Sequence, residues 1–119
     1  MRILIADDSV TMRRIIIGTL GAINGVEFEE VSDGEAAVAA AAKSFDLILM
    51  DWNMPKMNGL EAVVAIRAAG NAVPIFMVTT EAEKTRIIEA LKAGANNYVV
   101  KPFKKETMIE KVKSIGAAA

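Results

Sequence analysis

Five short apolar runs, each followed by a longer stretch with helical spacing, constrain this chain more than any other feature. Arg2-Ile3-Leu4-Ile5-Ala6 reads as a buried strand that stops at Asp7-Asp8. Ser9 stands as N-cap to a helix with Met12, Ile15, Ile16, Thr19, Leu20 and Ile23 on one stripe, ending at Asn24-Gly25. Arg13 and Arg14 are assigned to its solvated outer face, with Ile17 off the stripe. Glu27 to Val31 is more polar, as an edge strand is, and Asp33 caps an alanine-rich helix running to about Ser44. Phe45 to Met50 is the strongest central strand and ends at Asp51. Asn58-Gly59 opens a third helix with Leu60, Val63 and Ile66 on one face. Val73 to Val78 is a strand with proline near its start, where a missing donor is tolerated, and Thr79-Thr80-Glu81 follow. A helix carrying Ile88 and Leu91 stops at Gly94. Tyr98-Val99-Val100 ends at Lys101-Pro102, and a last helix from about Lys104 turns Met108, Val112 and Ile115 inward. Gly116 to Ala119 is predicted to fray. The pattern is (βα)5, an α/β fold with a doubly wound, five-stranded parallel sheet and right-handed crossovers.

Composition narrows the chemistry. The 119 residues, with 53% hydrophobic and 24% charged, match one packed domain over 1–119. A net charge of −1 offers no basic excess for a nucleic-acid backbone. There is no cysteine and no histidine. That excludes disulfides, thiol and Ser-His-Asp nucleophiles, and soft or imidazole metal sites. Any metal must be a hard cation held by oxygen. Met1-Arg2 leads straight into a strand, not a leader, and the apolar run Ala36 to Ala42 is too short for a membrane span. The expectation is a cytoplasmic, monomeric single domain with no membrane or nucleic-acid partner.

In open parallel sheets, ligands bind beyond the carboxyl ends of the strands. Strand 1 ends in Asp7 and Asp8, strand 3 in Asp51, strand 4 in Thr79 and Thr80, and strand 5 in Lys101. Three carboxylates brought together repel one another and raise each other's pKa. A divalent cation relieves this, and Mg2+ suits a few carboxylates with carbonyls and retained waters. Lysine and a hydroxyl opposite the metal would neutralise an oxyanion between them. That constellation serves phosphoryl transfer to a carboxylate. Singly, the residues also have plain structural uses. Asp7-Asp8 can favour the next helix N-terminus, Thr80 and Glu83 can form a capping box, and Lys101 can be a solvated turn residue. Trp52, Met54 and Met57 can pack the loop after strand 3.

Taken in order, four stretches resemble a response-regulator receiver domain. They are Asp7-Asp8 with Ser9-Val10-Thr11-Met12-Arg13-Arg14, Met50-Asp51-Trp52-Asn53-Met54-Pro55 with Met57-Asn58-Gly59, Val78-Thr79-Thr80-Glu81, and Gly94 to Phe103. The likeness covers essentially the whole chain and is strongest to the single-domain members that serve chemotaxis. It implies a flavodoxin-like strand order of 2-1-3-4-5 and Asp51 as acceptor of a phosphoryl group from a kinase histidine. Asp7 and Asp8 match the Mg2+-binding acids, with Asp51 and the backbone carbonyl of Asn53 as further ligands. Lys101 matches the lysine that contacts the phosphoryl group, in a Lys101-Pro102 peptide that is cis in the family. Thr79 and Tyr98 match the switch pair, and Asn53 and Glu81 the residues that tune hydrolysis. Lys84, Ile87, Tyr98 and Lys111 fall on the partner-binding face. Thr80 departs from close relatives, which often have a smaller residue there, and that bears on donor access and phosphoryl lifetime. The implied partners are a histidine kinase and a flagellar motor-switch or other output protein, with room for a phosphatase. Two other functions share these residues: a phosphorelay shuttle to a histidine phosphotransfer protein, and a Mg2+-dependent phosphohydrolase with an aspartyl-phosphate intermediate. The second fits less well, because such enzymes place Asp-x-Asp after strand 1 and need a cap for which the chain is short.

Overall fold

The computed structural model describes residues 1–118. Its strands are β1 (Arg2–Ala6), β2 (Glu27–Val31), β3 (Leu47–Asp51), β4 (Ile75–Thr80) and β5 (Asn97–Lys101). Its helices are α1 (Val10–Leu20), α2 (Gly34–Ala40), α3 (Gly59–Ala68), α4 (Ile87–Ala93) and α5 (Lys105–Ala118), with a 3-10 turn at Lys84–Arg86 before α4. The strands are all parallel and lie in the order β2-β1-β3-β4-β5. The doubly wound α/β sheet is therefore as the sequence implies, with the polar β2 at one edge.

Alternation along the strands builds the two cores. Leu4, Ala6, Ile48, Met50, Ile75 and Met77 face α2, α3 and α4 and pack with Ala37, Ala62, Val63, Ile66, Ile87 and Ala90. Ile3, Ile5, Leu47, Leu49, Phe76, Val78 and Val99 face the other way, onto Ile16, Leu20, Met108 and Val112 of α1 and α5. Both faces are covered, so β3 is buried at every position and reads as an unbroken apolar run.

The caps follow the sequence. Ser9, Asp33 and Asn58 each accept from the backbone N–H three residues on, and Asn58 forms a capping box with Glu61. Helix phase is where the expectations fail. In α1, Ile15 is 48% exposed, while Ile17 packs on the core, because the helix lies between β1 and α5. Arg13 is not solvated either; its guanidinium donates to the Asp7 carbonyl and to Glu30 at 2.9 Å. In α4 the inward residues are Ile87 and Ala90, and Ile88 is 61% exposed. The two faces are both spaced i, i+3, and the small Ala90 permits the close approach of α3 that a leucine does not. Helix α2 stops earlier than expected, where Asn71 donates to the Ala41 carbonyl at 2.8 Å. Helix α5 continues to Ala118, past the expected fraying point, and Ala119 lies outside the described residues.

Candidate functional site

The ends of β1, β3, β4 and β5 come together on one side of the sheet. A carboxylate oxygen from each of Asp7, Asp8 and Asp51 lies within 4.8 Å of the other two. Asp7 and Asp51 are buried and Asp8 is exposed. The Lys101 ammonium stands 3.1 Å from Asp51 Oδ1 and 3.5 Å from Asp7 Oδ2.

Local structure explains this placement. Asp7 ends a fully buried strand, and its Oδ1 accepts from the Ser9 backbone N–H at 2.9 Å. Its Oδ2 is buried and accepts no hydrogen bond, so its one close counter-charge among the described residues is Lys101. Asp51 Oδ1 accepts from the Trp52 backbone N–H at 2.9 Å as well as from Lys101. Oδ2 of Asp51 accepts nothing among the described residues. The Asp51 carbonyl packs against the start of α3, where a Cβ on Gly59 would fall 2.2 Å from that oxygen. The Asp51 backbone is therefore held by a glycine contact. Gly59→Ala is expected to cost about 1–3 kcal/mol of stability and to displace Asp51. Chemical denaturation and Mg2+ affinity, measured on the same variant, check both effects.

Burial and the neighbouring Asp7 carboxylate push the Asp51 pKa up to about 6, against the opposing pull of Lys101 and the Trp52 N–H. Lys101 loses some basicity to burial, but Asp51 and Asp7 outweigh that and hold it above its ordinary value. The donor set fits Mg2+: all oxygen, one wet carboxylate, and a buried acidic oxygen lacking a hydrogen bond. The lysine opposite them suits an anion carried between ammonium and metal.

The remaining predicted residues divide. Thr79 is fully buried at the end of β4, beside β5 and across from Val100, with Tyr98 two positions earlier on that neighbouring strand. Lys111 donates from Nζ to the Tyr98 carbonyl at 2.5 Å and lies 5.0 Å from the centre of its ring. Lys84 is exposed on the 3-10 turn. Ile87, expected on the partner face, is only 7% exposed and belongs to the core, because α4 turns it inward. The exposed apolar residues of that helix are Ile88 and Leu91. The Lys101-Pro102 peptide is cis. Trp52 is buried with the Arg86 guanidinium 4.7 Å from its ring centre, and Met54 and Met57 pack against the core. Asn53 donates its amide to Glu83, and Glu81 is exposed just beyond β4. Glu83 is the site residue that sequence reasoning placed only as a cap. The capping box with Thr80 does form, at 3.0 and 3.3 Å, and it was the one signal that tied Glu83 to the end of β4.

Comparison with known proteins agrees with this geometry. Residues 3–113 match the family model described as the response regulator receiver domain. The chain is 45% identical to a chemotaxis protein CheY homolog of Campylobacter jejuni, over 97% of this chain and 92% of that one. Its structure resembles the chemotaxis response regulator CheY4 of Vibrio cholerae, with a TM-score of 0.85, 38% identity and coverage of 96% and 97%. It also resembles the receiver domain of a sensor histidine kinase from Pseudomonas aeruginosa, with a TM-score of 0.86, 34% identity and 97% of each chain covered. That protein was described with a magnesium ion coordinated in its active-site cleft. No described helix is long and apolar enough to cross a membrane. Fold, strand-end chemistry and likeness converge along nearly the whole length, and the chain belongs to the response-regulator receiver domains of two-component signalling, a family of signalling proteins and not of classical enzymes.

Proposed function

We propose that this chain is a phosphorylation-activated switch acting in chemotaxis, with Asp51 as phosphoacceptor and Mg2+ as cofactor. The observation that carries the reading is the convergence of Asp7, Asp8 and Asp51 with Lys101. Mg2+ would be held by the three carboxylates and the Asn53 carbonyl, and it would supply charge neutralisation beside Asp51. The free Oδ2 of Asp51 attacks the phosphorus of a kinase phosphohistidine. The P–N bond breaks and the imidazole leaves. Lys101, already 3.1 Å from Oδ1, neutralises the charge that grows on the transferred group. Asn53 and Glu81 flank the path of the water that later hydrolyses the acyl phosphate. Thr79 then moves to satisfy a phosphoryl oxygen, Tyr98 turns inward, and the surface formed by Lys84, Tyr98 and Lys111 changes. The output is a partner such as a motor-switch protein, in keeping with the likeness to chemotaxis proteins. The likeness to the chemotaxis protein CheY homolog of Campylobacter jejuni, over 92% of that relative, supports the chemotaxis reading.

Trp52 gives the test, because its backbone is bonded to Asp51. Mg2+ is expected to change its fluorescence, and beryllium fluoride to change it again only when Mg2+ is present. A folded sample that responds to neither refutes the acceptor assignment.

A further inference from the structure

Glu83 joins two parts of the site that come from different strands. One carboxylate oxygen, Oε2, accepts from the side-chain amide of Asn53, two residues beyond Asp51. The other, Oε1, accepts from the Thr80 backbone N–H at 3.0 Å and lies 3.5 Å from the Thr79 hydroxyl. That hydroxyl is also 3.2 Å from the Thr80 carbonyl. A capping box requires only the exchange between Thr80 and Glu83. The contacts to Asn53 and Thr79 go beyond it, and they engage both carboxylate oxygens. The buried Thr79 hydroxyl thus lies between the Thr80 carbonyl and Glu83 Oε1, while Asp51 Oδ1 is held by Lys101 and Trp52.

We propose that Glu83 is a latch, a positioning residue that holds the Thr79 hydroxyl and the Asn53 amide away from the phosphoryl position and so sets how far phosphorylation turns the switch. The inference rests on the reading of Asp51 as phosphoacceptor. For Thr79 to reach a phosphoryl oxygen, its hydroxyl must leave Oε1 and the Thr80 carbonyl. The contact with Oε1 biases the equilibrium towards the arrangement described here, and part of the phosphoryl group's interaction is spent in overcoming that bias.

The experiment is a beryllium fluoride titration at saturating Mg2+, followed by Trp52 fluorescence. It compares wild type, Glu83→Gln, Glu83→Ala and Glu89→Gln, an exposed residue on α4 that controls for net charge. Each is repeated with Thr79→Ala. Both Glu83 variants are expected to bind beryllium fluoride about five- to thirty-fold more tightly, as an allosteric coupling of ordinary size gives. Mg2+ affinity is expected to stay unchanged, and Glu89→Gln to match wild type. In the Thr79→Ala background the gain disappears. Equal beryllium fluoride affinity in wild type and both Glu83 variants overturns the latch and leaves the Asp51 reading standing. So does a gain that survives Thr79→Ala, or one matched by Glu89→Gln, because charge alone then explains it. Loss of Mg2+ affinity in the variants also overturns it, since Glu83 then serves only to build the site. A wild-type protein that never responds overturns the acceptor reading, and the latch with it.

Discussion

Asp51→Asn is expected to abolish covalent labelling by a small acyl-phosphate donor and, in the same molecule, to raise stability at neutral pH by about 1–3 kcal/mol. The two results share one cause. Asp51 is a buried carboxylate beside Asp7, and its pKa stands near 6 instead of 3.8. The folded state therefore binds more protons than the unfolded state between those values. With a folded pKa above the unfolded one, the stability that Asp51 contributes is fully present below pH 4 and is lost as pH rises through about 6. Asparagine keeps an oxygen for the Lys101 and Trp52 donors but carries no charge to repel Asp7. The difference in unfolding free energy between variant and wild type, measured without Mg2+, should open from pH 4 to pH 7. Equal stabilities at pH 7 would show that Lys101 already compensates the acid pair. Undiminished labelling of the variant would show that Asp51 is not the nucleophile.

Lys101→Met works in the opposite direction. The ammonium is the counter-charge shared by Asp51 and Asp7, at 3.1 and 3.5 Å. Removing it leaves two buried carboxylates with no cation, at a cost of about 2–4 kcal/mol at neutral pH. The Asp51 pKa, relieved of a group that lowers it, climbs further. The variant should then regain stability as pH falls through that raised value. Mg2+ should stabilise it more than it stabilises wild type, because a cation that binds only the folded state acts by mass action and here replaces the missing charge. Thermal unfolding at two pH values, with and without Mg2+, reads all three effects. A variant as stable as wild type at neutral pH without Mg2+ would mean that the lysine does not hold the acids together. For Asp51→Asn the site's function and its stability are opposed, as expected where like charges are gathered for chemistry, whereas Lys101 serves both.

The fold was legible because its signals are local and repeated. Five apolar runs, three polar caps and the glycines after the helices each follow from short-range chemistry, and right-handed crossovers leave few ways to connect them. The site was legible for a related reason: parallel strands deliver whatever follows them to one edge, so Asp7, Asp8, Asp51, Thr79 and Lys101 could be gathered without knowing a distance. The order of the strands was not in the periodicity and came from the family resemblance.

What the sequence determined by itself was thus the element pattern and the inventory of groups at the strand ends. Tertiary structure decided helix phase, pairing and protonation. In α4, Ile87-Ala90 and Ile88-Leu91 have the same spacing, and only packing against α3 selects the first pair for the core. Arg13 looks like a solvated surface charge until the sheet places Glu30 and the Asp7 carbonyl beside it. Asn53 and Glu83 are thirty residues apart, and nothing local joins them before β3 and β4 pair. The raised pKa of Asp51 likewise depends on how much water the fold excludes and how near it brings Asp7. Capping and periodicity act over a few residues, whereas burial and charge pairing depend on surroundings that exist only once distant segments have packed.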